Sequence, residues 1–240
     1  DGDGATDPQE IAFGFDPNDL NNSPPPMQRG LKGFWAFDQN LLDGSGLGFH
    51  GMMLGTNLTP RFTTGKHGRA ILLDGRTGVN QSVQIVGSGS EFDSPGGSLT
   101  ISTWVRLSIA SNAEPNIVGK GGDNNWRLTL NAGSSELIYH GGSDPISGGG
   151  SIAGPFWRHV VAISEAGVAT RLYLDGLLVA VGGPPDLGSN GLPMEIGGNP
   201  ELFDMNWNGL VDDVAVWNRA LTTGELRQIW NAGLGVSIAD

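Results

Sequence analysis

The feature that most limits what this chain can become is its punctuation. Short stretches that alternate apolar and polar residues follow one another along most of the sequence, cut apart by turn residues. Of the 240 residues, 40 are glycine and 14 are proline, with no collagen-like period. Residues 98–107, SLTISTWVRL, show the pattern cleanly. Leu99, Ile101, Thr103, Val105 and Leu107 fall on one side of an extended chain, and Trp104 and Arg106 on the other. Stretches of the same kind occupy residues 33–38, 69–75, 82–86, 116–120, 126–131, 136–140, 157–164, 169–175, 177–181, 194–197 and 211–217. One helix is legible. Thr222 and Glu225 form a capping box, Leu226, Ile229 and Trp230 make an apolar stripe, and Gly233 is a natural stop. Many short strands at regular turn spacing, with so little helix, predict an all-β fold: an antiparallel β-sandwich or jelly roll with one short C-terminal helix.

Composition narrows the function classes. The formal net charge of -12 argues against a nucleic-acid partner, whose phosphates an acidic surface repels, and is compatible with divalent cations. No cysteine is present, which excludes disulfides, thiolate metal sites and thiol nucleophiles. The apolar runs are too short to span a membrane. The abrupt start at Asp1 reads as a segment of a longer, processed chain with neighbouring domains.

Three regions are expected. Residues 1–17 are acidic, with Asp1, Asp3, Asp7 and Glu10 around Gly4. With Gly4 at the sharp turn of an EF-hand-type loop, these carboxylates fall at ligand positions and Glu10 closes the loop, while the first ligand would precede Asp1. A partial calcium-binding repeat and a solvated acidic tail both fit. Residues 18–30 hold Asn21, Asn22, Ser23 and the run Pro24 to Pro26, the composition of a linker. Residues 31–240 form the sandwich.

Two resemblances add to this reading. DGDGATDPQEIAFGFDPNDLNN is similar to a bacterial thrombospondin type 3 repeat. The segments GFWAFDQNLLDGSG, RAILLDG, LTISTWVRL, NIVGKGG, FWRHVVAIS, TRLYLDGLLVA, MEIGG and NGLVDDVAVWNRALTTGEL, in this order, resemble the laminin-G-like domain of the concanavalin A-like lectin/glucanase superfamily, over roughly residues 30–233. The resemblance implies a jelly roll of two curved antiparallel sheets whose first and last long strands are neighbours. It also implies a calcium ion at the rim in many members, and an extracellular or cell-surface location.

The last strand carries Asp212 and Asp213. Strict alternation puts Asp212 with Val214 and Val216, facing the core, and Asp213 on the opposite side. A carboxylate aimed at an apolar layer needs a cation or several donors. Antiparallel pairing of the first and last strands brings Asp38 close to Asp212, and the loop after Asp38 adds Asp43 and backbone carbonyls. This predicts a hard-oxygen calcium site at Asp38, Asp43 and Asp212. The alternative is that Asp212 accepts backbone N–H groups and caps a loop without metal.

No catalytic constellation is legible. The superfamily also contains glycoside hydrolases, which place two carboxylates across the scissile bond. Asp212 and Asp213, being adjacent, are expected on opposite faces, and Glu136, Glu165, Glu195 and Glu201 look isolated. Sugar recognition asks for aromatic faces beside amides. Asn124, Asn125 and Trp126 in one loop, and Asn206 and Trp207 in another, are the candidate ligand-binding residues, set against the reading that both tryptophans anchor their loops. The expectation is a non-catalytic recognition or adhesion module that binds a glycan or a protein. A spacer that only displays its neighbours is the alternative, and a glycoside hydrolase a remote one.

Overall fold

The computed structural model describes residues 27–108, 114–122 and 125–235. In chain order the strands are β1 (Leu31–Trp35), β2 (Gly51–Leu54), β3 (Phe62–Thr64), β4 (Arg69–Leu73), β5 (Ser82–Ile85), β6 (Leu99–Leu107), β7 (Asn116–Gly119), β8 (Arg127–Leu130), β9 (Glu136–His140), β10 (Ile146–Ser151), β11 (Arg158–Glu165), β12 (Ala169–Leu174), β13 (Leu177–Gly182), β14 (Glu195–Ile196) and β15 (Gly209–Trp217), followed by helix α1 (Thr223–Trp230). Three of these, β2, β3 and β10, lie where the sequence reads as loop. Each is short or glycine-rich, so no apolar alternation marks it: β10 is ISGGGS.

The strands form two sheets packed face to face. The larger runs β13-β12-β11-β6-β15-β4-β3, with β1 also on β15; the smaller runs β10-β9-β8-β7-β14-β5-β2. Every ladder between these strands is antiparallel. The antiparallel sandwich with one short C-terminal helix is therefore present. One apolar layer fills the space between the sheets, including Trp35, Ile71, Val105, Leu128, Tyr139, Val160, Ile196 and Val214. A second cluster lies on the outer face of the larger sheet, where Leu226 and Ile229 of α1 cover Phe34, Val161, Ala215 and Trp217.

Helix α1 begins at the expected capping box. Thr222 Oγ1 accepts from the Glu225 N–H, and the Glu225 carboxylate accepts from the Thr222 N–H at 2.7 Å. It ends earlier than Gly233, at Asn231, whose φ of 43° is the left-handed conformation that asparagine tolerates. Residues 27–30 belong to the sandwich rather than to a linker. The Trp217 indole N–H donates to the Met27 carbonyl at 2.7 Å, and Arg219 Nε donates to the Arg29 carbonyl. The acidic segment with Asp1, Asp3, Asp7 and Glu10, and the proline run after it, lie outside the described residues.

Strand β15 departs from regular alternation. Its register against β6 breaks between Asp212 and Ala215, and Asp213 has φ 45°. This is a β-bulge: one extra residue, turned left-handed, fits into the strand. Thr103, opposite the break, donates its hydroxyl to the Asp212 carbonyl at 3.1 Å. The extra residue shifts the phase, so Val211, Val214 and Val216 all face the inner core while Asp212 does not. The expected grouping of Asp212 with Val214 and Val216 is corrected here. Alternation holds only while residues pair one to one, and the bulge breaks that count.

Candidate functional site

Two polar arrangements stand out, one on the outer face of each sheet. On the larger sheet, Asp212 lies opposite Trp104, on the side away from the inner core. The turn at residues 65–69 covers it. Asp212 Oδ2 accepts from the Lys66 N–H at 2.7 Å and the His67 N–H at 3.0 Å. Asp38 holds the other end of the same turn, accepting from the Arg69 N–H at 2.7 Å. Asp38 and Asp212 thus hold the two ends of one turn. Gly68, with φ 42°, makes it possible, because a Cβ there would strike the Asp38 carboxylate.

Asp213 reaches the same turn. Its Oδ2 lies 2.5 Å from His67 Nδ1, so the two adjacent carboxylates serve one turn instead of opposite faces. His67 Nε2 lies 3.1 Å from the Leu234 carbonyl, and Lys66 Nζ donates to the Gly233 carbonyl while sitting 4.5 Å from the Trp104 ring centre. Both imidazole nitrogens face acceptors. The Asp213 hydrogen bond, followed by the Leu234 carbonyl, outweighs burial and raises the His67 pKa. Burial, with the Asp213 charge second, pushes Asp212 up to about 7, and its Oδ1 is buried with no hydrogen-bond partner. Behind them His159, buried between Trp104 and Ser102, is pushed down to about 3 by burial and stays neutral.

The expected calcium set does not assemble from these residues. Asp43 ties its loop to β1: Oδ1 accepts from the Phe34 and Ser45 N–H groups, and Oδ2 from the Ser45 hydroxyl and the Phe49 N–H. Asp38 and Asp212 each accept the backbone N–H groups already described. Among the described residues no group of three or more His, Asp or Glu side chains could hold a metal ion. In this arrangement the three carboxylates accept N–H groups of three separate stretches of chain.

The second arrangement is a cleft on the outer face of the smaller sheet. Met194 and Ile196 point inward, so Glu195 on β14 points out, between β5 and β7. The chain from Gly197 onward then folds back across this face. It passes at close range because Gly198 and Gly119 lack side chains: a Cβ on Gly198 would lie 2.5 Å from Glu195 Oε2, and one on Gly119 would lie 2.8 Å from Asn199 Nδ2. Asn199 pins the crossing by donating to the Gly121 carbonyl at 2.9 Å and accepting from the Glu201 N–H. Across the mouth, Asn80 donates to Asp204 Oδ1 at 2.6 Å, both residues being left-handed at φ 48° and 61°. The cleft, open to solvent at its mouth, holds about 200 Å³.

The cleft sets polar groups among apolar walls, with Leu54, Leu202 and Phe203 beside the amides and acids. Glu195 is 6% exposed, and its only hydrogen-bond partner among the described residues is the Ser82 hydroxyl, which donates to Oε2 at 3.0 Å. Burial raises its pKa, and the Ser82 hydrogen bond only partly offsets this. The amides of Asn80, Asn199 and Asn206 line the walls. Asn80 Oδ1 is buried without a partner, and Phe203 at the rim is 80% exposed.

Of the expected ligand-binding residues, the cleft takes only Asn206. Trp126 and Trp207 are fully buried; their indole N–H groups donate to the carbonyls of Phe92 and Leu210, and neither offers a face to a ligand. Asn125 is also interior, donating to Asp93 at 2.8 Å, while Asn124 lies outside the described residues. Both tryptophans anchor their loops, because a large indole with its N–H satisfied by a carbonyl gains more from the core than from water. Glu195 and Phe203 were missed. Glu195 was marked by its place between two inward apolar residues on a strand. Phe203 carried no sequence signal apart from its polar surroundings.

With the geometry in view, comparison places the chain. Residues 77–227 match a laminin-G-type profile described as the concanavalin A-like lectin/glucanases superfamily, and the chain belongs to that superfamily. The human adhesion G-protein coupled receptor D1 is 28% identical over 108 residues, 43% of this chain and 12% of that protein. Domain 4 of AbnA, a GH43 extracellular arabinanase from Geobacillus stearothermophilus in complex with arabinotriose, has a TM-score of 0.66 at 20% identity, covering 86% of this chain and 98% of the other. The binding domain of botulinum neurotoxin DC in complex with SialylT has a TM-score of 0.66 at 14% identity, covering 86% of this chain and 52% of the other. At these identities the solved structures show a shared fold. Among the described residues no helix is long and apolar enough to cross a membrane.

The polar corner yields two expectations. A raised His67 pKa means that its bond to Asp213 stabilises fully below the unfolded value of 6.5, and that this is lost as pH rises through the folded pKa. Asp213→Asn keeps a residue that tolerates the bulge conformation. It should destabilise the domain more at pH 6 than at pH 9 and move the His67 titration, followed by NMR, toward 6.5; a cost that grows with pH contradicts the pairing. Asp212 is also raised, so its contribution is present below the unfolded value of 3.8 and lost as pH rises through about 7. Asp212→Asn keeps an acceptor for the two N–H groups and removes a poorly solvated charge. In thermal unfolding at pH 8 it should be at least as stable as the parent, and a marked loss would show that the charge has a partner such as a metal.

Proposed function

We propose that this domain is a non-catalytic recognition module of a larger extracellular or cell-surface protein, and that its ligand is held in the Glu195 cleft. One observation carries the reading: a single cavity on the outer sheet face joins three amides, a partly satisfied carboxyl and an exposed aromatic ring. Hydroxyl-rich ligands need that combination, with amides and carboxyl for the hydroxyls and a ring for the apolar face. Membership of a lectin-containing superfamily supports it, as do fold neighbours whose own descriptions name arabinotriose, SialylT and synaptotagmin II as bound partners. A spacer with no ligand would not require a buried acid under a rim of amides.

Calcium, in this proposal, belongs to the acidic segment with Asp1, Asp3, Asp7 and Glu10. Titration of the whole chain with calcium should give a binding signal that Asp7→Ala weakens and Asp212→Asn leaves unchanged. The reverse order of effects would move the ion to the sandwich.

A hydrolytic reading has one observation in its favour: the cleft carries two carboxyl groups, Glu195 with a raised pKa and the exposed Asp204. Such a pair resembles the acid and base of a glycosidase. Asp204 is engaged with Asn80 at the mouth, which favours binding over turnover. Incubation with nitrophenyl glycosides of common pentoses and hexoses should release no chromophore. Release that Glu195→Gln abolishes would replace the recognition reading with a hydrolytic one.

A further inference from the structure

We infer that the cleft selects a terminal ring of a neutral saccharide and rejects sialylated and uronic-acid glycans. This rests on the recognition reading above and adds the ligand class.

The argument starts from the ionisable groups around the cavity. Its lining holds two acids, Glu195 and Asp204, and no lysine, arginine or histidine. Recognition of a carboxylate or sulfate calls for a cation, most effectively a forked guanidinium, or for converging N–H groups at a helix start. Neither is present: the cleft is made of strand and turn. An anionic sugar entering it would lose water and meet two acids instead. The whole chain has the same sign, with a formal net charge of -12, so approach is also disfavoured.

A neutral ring meets the opposite situation. Asn80 Oδ1 is buried and unpartnered, and an O–H from a sugar would satisfy it. The Ser82 hydroxyl occupies Glu195 Oε2, and Oε1 has no partner among the described residues. Burial raises the Glu195 pKa, which favours the protonated form that donates to a sugar oxygen, while the carboxylate form accepts from a hydroxyl. Phe203 stands at the rim, where it can cover the apolar face of the ring. A cavity of about 200 Å³ accommodates one ring with its hydroxyls rather than an extended chain. The remaining sugars of a longer glycan would lie outside, along Phe203.

Screening the full chain on an array that carries matched neutral and acidic glycans, such as lactose with sialyllactose and arabinotriose with oligogalacturonate, tests this. Binding should fall on neutral members only. Phe203→Ala, at an exposed position, should weaken it about tenfold. Asp204→Asn retains the left-handed turn and the contact to Asn80. It should raise the signal from acidic glycans relative to their neutral counterparts, because it removes a charge worth roughly a tenfold change. Binding confined to sialylated or uronic-acid members, and lost with Phe203→Ala, overturns the inference while leaving the recognition reading intact. Neutral binding that survives both Phe203→Ala and Glu195→Gln overturns the assignment of the cleft. Absence of signal from every glycan overturns the inference as well, and chromophore release in the hydrolysis assay separately removes the recognition reading.

Discussion

Strand β15 has no exposed residue: all nine positions from Gly209 to Trp217 are buried. It is the centre of the larger sheet, paired with β6 on one side and with β1 and β4 on the other. A strand buried on both faces would ordinarily be continuously apolar. This one carries two carboxylates, and an unsatisfied buried charge is costly. The bulge at Asp213 resolves the conflict. It turns both acids to the outer face, where a turn from another part of the chain brings two N–H groups and an imidazole to meet them. The valines remain in the inner core.

Several other features follow from that accommodation. The turn at residues 65–69 is held at one end by Asp212 and at the other by Asp38. The segment after α1 is fastened to the same place through Lys66 and His67. Helix α1 itself closes the outer apolar cluster over Trp217, at the far end of β15. Acidic side chains in this domain repeatedly do the work of loop caps. Asp43 takes four donors, one from β1 and three from its own loop, and Asp93, which burial alone would push up, is held down at about 2 by Lys120, Ser189 and Asn125. With no disulfide and long connections, charge-assisted hydrogen bonds to backbone are a way to fix loops that carry few apolar residues.

The cleft departs from this pattern because its acid lines a cavity rather than capping a loop. Its acid and one of its amides keep open hydrogen-bonding capacity. Asp212 Oδ1 is also unpartnered but is sealed beneath its turn, whereas the unpartnered oxygen of Glu195 belongs to a side chain that lines an open cleft. Beneath it, Val83, Val118, Leu128 and Ile196 of the smaller sheet face inward.

The sequence alone determined the class of fold, because alternation and glycine turns are local properties that any sandwich must satisfy. It also determined the capping box of α1 and the meeting of the first and last strands, which follow from spacing and from family resemblance. It did not reveal β2, β3 or β10, whose side chains are too few or too small to leave a pattern. Tertiary structure alone decided which way Asp212 and Asp213 point, since a bulge changes the count of residues per pleat and leaves no mark in composition. It decided, too, that Trp126 and Trp207 are anchors, because an aromatic beside amides reads the same whether it faces water or core. And it decided where the cleft lies. Asn80 is far in the chain from Glu195 and Phe203, and the close passage over Gly119 and Gly198 brings all three to one cavity.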